Sequence, residues 1–199
     1  MIKASIKEKE LVVDILYNAF VDINFPNSIN FVVKQDIHRN KRLRFLMEYL
    51  FLKTINSGEI YISNNKKACI LLHYPHKEKV TFKSILRDFK LAYKTIGLIR
   101  VYKVLKREHQ LKKHHLKQDH IHPLIMGVQK DYQGKGAGVR LIYEVFNKHS
   151  TNKLPCILET TTKSNLKLYK KFGFYIFSET IDLGYPLYFL RKDFTNEII

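Results

Sequence analysis

Apolar residues recur at helical spacing through the first 56 residues and predict two amphipathic helices, preceded by a short strand over 2–5. The first helix follows Ser5-Ile6-Lys7-Glu8, which has the spacing of a capping box. Its core face comprises Leu11, Val12, Ile15, Leu16, Ala19 and Phe20. Phe25-Pro26-Asn27 breaks the pattern. A second helix is predicted over about 34–56, with an inner face made of Ile37, Leu46, Met47, Leu50 and Phe51.

Two β-rich runs at 59–63 and 68–74, joined through Asn64-Asn65-Lys66, predict a hairpin that ends at Pro75. Thr81 then has the position of a cap for a long basic helical region, which extends to about residue 117 and is interrupted at Gly97. The apolar residues of its first part are expected to face the core, namely Phe82, Ile85, Leu86, Phe89, Tyr93 and Ile96.

From residue 120 onward, strand and helix patterns alternate. Strands are predicted over 121–128, 154–160, 174–180 and 187–191, and helices over 138–149 and 165–172. Gly173 has the position of a left-handed helix end. The pattern contains no repeat or linker and predicts one α/β domain over 1–199.

Charge is the unusual feature of the composition, with a formal net charge of +17 in 199 residues. Between residues 77 and 120 there are 13 Lys and Arg against 4 Asp and Glu, a net charge of +9. This excess suggests a polyanionic partner such as nucleic acid, a membrane surface or a phosphorylated ligand. Compositional drift in a chain rich in Lys, Asn and Ile can also produce it, so both interpretations stay open.

The remaining composition is typical of a globular cytoplasmic protein. No apolar run approaches the roughly 20 residues that span a bilayer, and the N-terminus lacks the apolar core of a signal peptide. Cys69 and Cys156 lie in strand-like stretches and are expected to be buried free thiols. Whether the chain forms a homodimer stays open.

Five histidines in the basic region raise the question of a metal site, but they lack recognisable zinc spacing. A solvated helix end and no metal are expected here. The residues concerned are His109, His114, His115, His120 and His122.

A glycine loop, Gln133-Gly134-Lys135-Gly136-Ala137-Gly138, lies between a predicted strand and an amphipathic helix that continues through Val139. Glycines let consecutive amides converge on an anion, and the N-terminus of the helix adds its dipole and unpaired N–H groups. Lys130, Lys135 and Arg140 add positive charge. The loop lacks the Ser or Thr of the nucleoside-triphosphate loop and the G-x-G-x-x-G spacing of dinucleotide sites. The loop therefore indicates a pyrophosphate-binding site that differs from these two nucleotide motifs.

Around this loop the sequence resembles the GCN5-related N-acetyltransferase (GNAT) superfamily. Gln133, Gly136 and Gly138 match its Q/R-x-x-G-x-G/A coenzyme A loop, and the strand ending in Met126-Gly127-Val128 looks like its splayed fourth strand. The stretch from Asn165 to Phe174 is similar to its N-x-x-x-Y-x-x-x-G-F block. The resemblance covers 120–180 and is nearest to the puromycin-acetyltransferase-like subgroup. It implies a mixed, mostly antiparallel sheet of six to seven strands with helices on both faces, and the basic helical insertion between strands 3 and 4.

The resemblance also implies the activity: transfer of an acetyl group from acetyl-CoA to a primary amine through a tetrahedral intermediate, with no metal. Tyr169 would protonate the leaving thiolate, and Glu159 would accept the amine proton, with Glu78, Asp182 and a water molecule as rivals. The residues expected at coenzyme A are Met126, Gly127, Val128, Gln133, Gly134, Lys135, Gly136, Ala137, Gly138, Val139, Asn165 and Tyr169. The N–H of Val128 is the expected oxyanion donor. His122, in or beside the strand that ends at Val128, could contact the substrate.

Three alternatives stay open at this stage. Tyr169 could be a packed aromatic side chain, and Glu159 could cap the next segment. The chain could instead bind nucleic acid or an anionic surface through its basic region, with coenzyme A bound but no significant catalysis. The acceptor, a small-molecule amine or a peptide amine, is not defined by the sequence.

Overall fold

A computed structural model describes residues 1–114, 117–151, 154–181 and 184–194. The strands in this part of the chain are β1 (Ile2–Lys3), β2 (Gly58–Ile62), β3 (Ala68–His73), β4 (His122–Val128), β5 (Cys156–Thr160), β6 (Tyr175–Thr180) and β7 (Leu187–Lys192). The α-helices are α1 (Lys9–Phe20), α2 (Ser28–Val32), α3 (Arg39–Ser57), α4 (Phe82–Leu91), α5 (Val101–His114), α6 (Ala137–Lys148) and α7 (Lys163–Lys171).

The strands form two antiparallel sheets, one of four strands in the order β1-β2-β3-β4 and one of three in the order β5-β7-β6. A parallel bridge between Ile121 and Cys156 joins the sheets. Helices cover both faces. On one face α1 and α3 pack on β2 and β3 around Leu16, Met47 and Phe51. On the other face α6 packs over the opposite side chains of β3 and over β5. The predicted mixed, mostly antiparallel sheet is therefore confirmed, as a pair of sheets.

The capping box predicted near the N-terminus is confirmed. Ser5 and Glu8 form the reciprocal hydrogen bonds of a capping box, which open a single 3₁₀ turn before α1. The second predicted helix is wrong at its start, because α3 begins at Arg39 and a short α2 precedes it. Ile37, expected to face the core, lies before α3 and is 94% exposed.

The basic insertion lies between β3 and β4, as expected. The apolar face of its first helix, α4, points toward solvent and not toward the core as predicted. The capping box of Thr81 and Ser84 is present, and Gly97, with φ of 80°, ends a π-helical turn over 92–96. Ile96 is buried. The expected inward orientation is wrong for five residues, which are exposed: Phe82, Ile85, Leu86, Phe89 and Tyr93. Polar contacts of α4 cause this, as described below.

Candidate active site

A gap opens between β4 and β5, at the junction of the two sheets. Ile121 donates its N–H to the carbonyl of Pro155 at 2.9 Å and accepts from Ile157 at 2.8 Å. Beyond this bridge β4 continues along β3 and β5 continues along β7, so that the two strands separate. Such a separation leaves backbone groups on the facing edge of β4 without a strand partner.

The amide at the end of β4 faces this gap. Gln129 donates its N–H to the carbonyl of Lys67, on the β3 side, at 2.8 Å. Because successive amides of an antiparallel strand point to opposite edges, the N–H of Val128 points away from β3. The side chain of Gln133 donates to the Val128 carbonyl at 3.0 Å and so braces this end of the strand.

The glycine loop leads directly into α6. Gly134 and Gly136 have φ of 73° and 80°, the left-handed region that favours glycine. A Cβ added at either would meet no atom within 4 Å, so both face open space. The first helical acceptor, the Gly136 carbonyl, bonds the N–H of Arg140 at 2.9 Å. The amides of Ala137, Gly138 and Val139 therefore have no partner within α6 and suit an anion.

Two other glycines serve close packing. A Cβ on Gly138 would lie 2.8 Å from Cε of Met126 and 3.1 Å from Cγ2 of Val128, so glycine brings the start of α6 against β4. A Cβ on Gly127 would lie 3.0 Å from Cδ2 of Leu16. Gly127 thus lets α1 approach β4 from the other face.

A cavity of about 580 Å³ contains the gap between β4 and β5. Four predicted site residues line it: Met126, Glu159, Asn165 and Tyr169. A second cavity of about 300 Å³ lies against the glycine loop and is lined by Lys135, Gly136, Ala137 and Arg140. The motif at 165–174 therefore contributes to the larger cavity and the motif at 133–138 to the second.

Tyr169 and Asn165 lie one turn apart on α7 and both line the larger cavity. Burial raises the pKa of the Tyr169 hydroxyl to about 12, so this group stays protonated at neutral pH. Its ring contacts the ring of Phe174 edge-on, with centroids 5.6 Å apart. Asn165 donates to the hydroxyl of Thr160 at 3.4 Å, which connects α7 to the end of β5.

Glu159 is paired across the gap with His122, which the sequence suggests as a substrate contact and not as a partner of the base. Oε2 of Glu159 lies 2.8 Å from Nε2 of His122, and both side chains are largely buried in the lining of the cavity. The pair connects β5 to the start of β4. A carboxylate that holds an imidazole is a common arrangement for accepting and relaying a proton.

Glu78, the rival candidate for the base, also lines the cavity, but its carboxylate contacts the side chains of His73 and Lys53. Oε2 lies 3.1 Å from Nε2 of His73, and Oε1 lies 3.2 Å from Nζ of Lys53. The hydrogen bond with His73 lowers the pKa of Glu78 to about 2, and Lys53 acts in the same direction. So low a pKa makes Glu78 a weak base. Asp182 lies outside the described residues.

The expected solvated helix end is wrong for two side chains: His120 is buried, and His114 stacks on Phe189 with ring centroids 4.8 Å apart. His122 lies in β4, as expected, and lines the cavity. His109 is exposed as expected, and His115 lies outside the described residues. Among the described side chains, no group of three His, Cys, Asp or Glu residues is placed to hold a metal ion.

Sequence reasoning missed Arg107, which is buried and lines the cavity from α5. Its Nε donates to the hydroxyl of Tyr185 at 2.9 Å, and Nη1 donates to Glu108 at 2.6 Å. The guanidinium also lies 5.5 Å from the ring centroid of Phe31. Helical spacing with the buried Val104 and Leu111 was the available signal.

Comparison with known proteins gives three results. The family described as "Acetyltransferase (GNAT) domain" matches residues 89–176. No curated protein matches the chain in sequence. Solved structures match over nearly the whole chain, at low sequence identity.

Three of these structures illustrate the likeness. A histone acetyltransferase HPA2 and related acetyltransferase from Corynebacterium glutamicum is 18% identical, with a TM-score of 0.66, covering 100% of this chain and 97% of that one. Arylalkylamine N-acetyltransferase 2 from Aedes aegypti is 16% identical, with a TM-score of 0.62, covering 98% of each chain. Naa50 from Arabidopsis thaliana, in complex with a bisubstrate analogue containing CoA, is 15% identical, with a TM-score of 0.51, covering 96% and 95%.

None of the helices in the described part of the chain is both long and apolar enough to cross a membrane. The fold, with its gap between β4 and β5, is similar to these structures over nearly the whole chain. Residues 89–176, which include this gap and the loop before α6, are thus similar to a GNAT acetyltransferase domain.

Proposed function

We propose that the chain transfers the acetyl group of acetyl-CoA to a primary amine in the cavity between β4 and β5. The observation that carries this proposal is the placement of an outward-facing Val128 amide beside an open glycine loop. When bound, acetyl-CoA supplies a thioester carbonyl that an amine attacks. The amides of Ala137, Gly138 and Val139, with Lys135 and Arg140, suit its pyrophosphate. The N–H of Val128 then donates to the carbonyl oxygen.

Tyr169 is proposed as the donor to the leaving sulfur. Its pKa of about 12 keeps the hydroxyl protonated, which supports this role. An ordinary thiol has a pKa of about 8.5, so Tyr169 is the weaker acid. We therefore expect it to donate a hydrogen bond as charge builds on the sulfur, with the proton following late. Asn165, on the same face of α7, would orient the pantetheine arm.

Glu159 is proposed to accept the amine proton, either directly or through His122. The 2.8 Å contact between their side chains supports a shared role in the cavity. The low pKa of Glu78 supports the choice of Glu159 over that rival. In the direct route Glu159 takes the proton and His122 only positions its carboxylate. In the relayed route His122 takes the proton first.

The acceptor is proposed to be a primary amine with an apolar body. Much of the cavity lining is apolar, and α1, α2, α3 and the segment between α1 and α2 contribute Phe20, Phe25, Ile29, Val32, Leu46 and Leu50. The formal charges of the Lys, Arg and Glu side chains that line the cavity cancel. Lys53, Arg107 and Lys112 are positive, and Glu78, Glu108 and Glu159 are negative. An anionic acceptor therefore gains no support from the net charge of the chain. The arylalkylamine acetyltransferase among the similar structures supports this acceptor class.

Two measurements test the proposed function. Coenzyme A at millimolar concentration should raise the melting temperature, because it binds only the folded chain. Thiol release from acetyl-CoA should then be followed with 2-phenylethylamine and with ethylamine as a matched pair. We expect a KM at least tenfold lower for the aromatic amine. Absence of both the thermal shift and thiol release would refute the acetyltransferase assignment, whereas equal KM values would refute only the acceptor class.

A further inference from the structure

Helix α4 has an inverted arrangement, because the polar Arg87 and Asp88 contact α3 while most of its large apolar side chains point toward solvent. Oδ1 of Asp88 accepts from the Tyr49 hydroxyl at 2.9 Å. Arg87 donates to the carbonyl of Leu52 at 3.0 Å, and its guanidinium lies 5.5 Å from the Tyr49 ring. Leu91 packs against the core of α1 and α3. These contacts fix which face of α4 is inward.

The outward face of α4 is therefore a continuous apolar stripe. Phe82 is 81% exposed, Phe89 70% and Tyr93 69%, with Ile85 and Leu86 between them. These positions recur at i, i+3, i+4, i+7 and i+11, so they share one side of the helix. Beyond Gly97 the chain exposes Leu98, Ile99, Tyr102 and Leu105 as well. The hydrophobic effect opposes leaving so many large side chains in water, and such patches mark interaction sites.

Lysines accompany this stripe. Lys83, Lys90 and Lys94 are exposed and recur at helical spacing, so they form a row beside the apolar residues. The segment 77–120 as a whole carries a net charge of +9 out of +17. Long lysine side chains can keep their ammonium groups at a polar boundary while the neighbouring apolar residues enter a less polar layer.

We propose that this stripe docks the enzyme on an anionic lipid surface. Anionic headgroups would neutralise the lysine row, and the aromatic and aliphatic side chains would enter the boundary between headgroups and acyl chains. A second copy of the chain fits less well, because two like-charged faces would meet. Nucleic acid fits less well too, because it would leave the aliphatic Ile85 and Leu86 in water between the aromatic rings, whereas a lipid boundary would bury them.

A second helix of the same insertion, α5, lines the cavity. Arg107, Glu108, Leu111 and Lys112 of α5 line it. One insertion therefore supplies both the exposed stripe and a wall of the acceptor cavity. Docking would hold this wall near the lipid surface, where apolar amines concentrate.

The test is flotation of the full-length protein with vesicles of phosphatidylcholine, alone or with about 30% phosphatidylglycerol. We expect binding to the anionic vesicles only, falling as salt is raised. The double substitution Phe82→Ser with Phe89→Ser should weaken binding at least tenfold. Replacing Lys83, Lys90 and Lys94 by Gln should weaken binding and flatten its salt dependence.

Matched controls make each comparison specific. Ile37→Ser with Ile181→Ser removes apolar side chains that are exposed elsewhere, and replacement of Lys7, Lys41 and Lys66 by Gln removes the same charge elsewhere. Both controls should bind within twofold of wild type. An unchanged melting temperature verifies folding of every variant.

Three outcomes would overturn the proposal. The first is no flotation of wild type with anionic vesicles at low salt. The second is undiminished binding by the double Phe variant. The third is self-association in ultracentrifugation, or an RNA mobility shift, that depends on the stripe or the lysine row while vesicles are not bound.

Discussion

At the scale of single residues, the environment of Tyr169 separates a chemical role from a packing role. Its ring is packed against Phe174, while its hydroxyl has a pKa of about 12 in the lining of the cavity. Tyr169→Phe keeps the ring and removes only the proton donor. We expect kcat to fall about 100-fold, with coenzyme A affinity unchanged within twofold. Steady-state kinetics and calorimetry measure the two quantities.

Tyr175→Phe is the matched control for that substitution, because Tyr175 is exposed, bonds Asp193 and does not line the cavity. It should leave kcat unchanged. Equal kcat values for Tyr169→Phe and wild type would return Tyr169 to a purely structural role.

Glu159 and His122 illustrate what single-sequence reasoning could not reach. The residues are 37 positions apart, and their contact depends on two strands meeting at the Ile121 bridge. A carboxylate at the end of a predicted strand was visible in the sequence, but its partner was not. The motifs 133–138 and 165–174 were recognisable because their spacing is local. Pairings set by tertiary structure were not.

Glu159→Gln should lower kcat about 100-fold near neutral pH and remove the acidic limb of the pH–rate profile, because the amine proton loses its acceptor. His122→Gln should shift that limb if His122 relays the proton. Glu78→Gln is the comparison, and it should keep kcat within about threefold because the low pKa of Glu78 makes it a weak base. A larger loss in Glu78→Gln than in Glu159→Gln would contradict this assignment.

At the scale of elements, capping and turn signals predicted most boundaries correctly. The boxes at Ser5 and Thr81 and the left-handed glycines at 97 and 173 depend on residues within one turn, so the sequence contains all that is needed. The orientation of α4 could not be predicted in this way. Periodicity gives an apolar face but not its direction, which polar contacts with Tyr49 and Leu52 decide.

The glycine loop offers a matched pair of substitutions. Gly136 and Gly184 have φ of 80° and 79°, and a Cβ at either position meets nothing within 4 Å. Alanine should therefore cost about 1–2 kcal/mol of stability at both, or roughly 2–8 °C in melting temperature. Only Gly136→Ala should also weaken coenzyme A binding, because it alters the approach to the α6 amides. Calorimetric titration of both variants tests this, and equal affinities would exclude the loop from the ligand site.

At the scale of the whole molecule, acid stability depends on carboxylates held by cations and donors. The pKa of Glu78 is about 2 in the folded chain, against about 4.3 for an ordinary Glu, so the folded state favours its ionised form. Its contribution is complete above the ordinary pKa and is lost as pH falls from about 4.3 toward 2. Melting temperatures of wild type and Glu78→Gln should therefore differ most above pH 5 and converge in acid.

Glu179→Gln, which changes an exposed carboxyl on β6, is the control for that experiment. It should follow wild type at every pH. A constant difference between Glu78→Gln and wild type down to pH 2 would mean that charge is not the source of the effect.

The two cysteines, buried and free as expected, have a practical consequence for every assay described above. Cys69 and Cys156 are 0% and 1% exposed, and burial raises the pKa of both thiols. A colorimetric disulfide reagent reacts with accessible thiolates, so the folded enzyme should be silent toward it. The colour that develops during turnover then comes from coenzyme A alone. When the chain unfolds, both thiols become reactive, and the same reagent counts unfolded molecules.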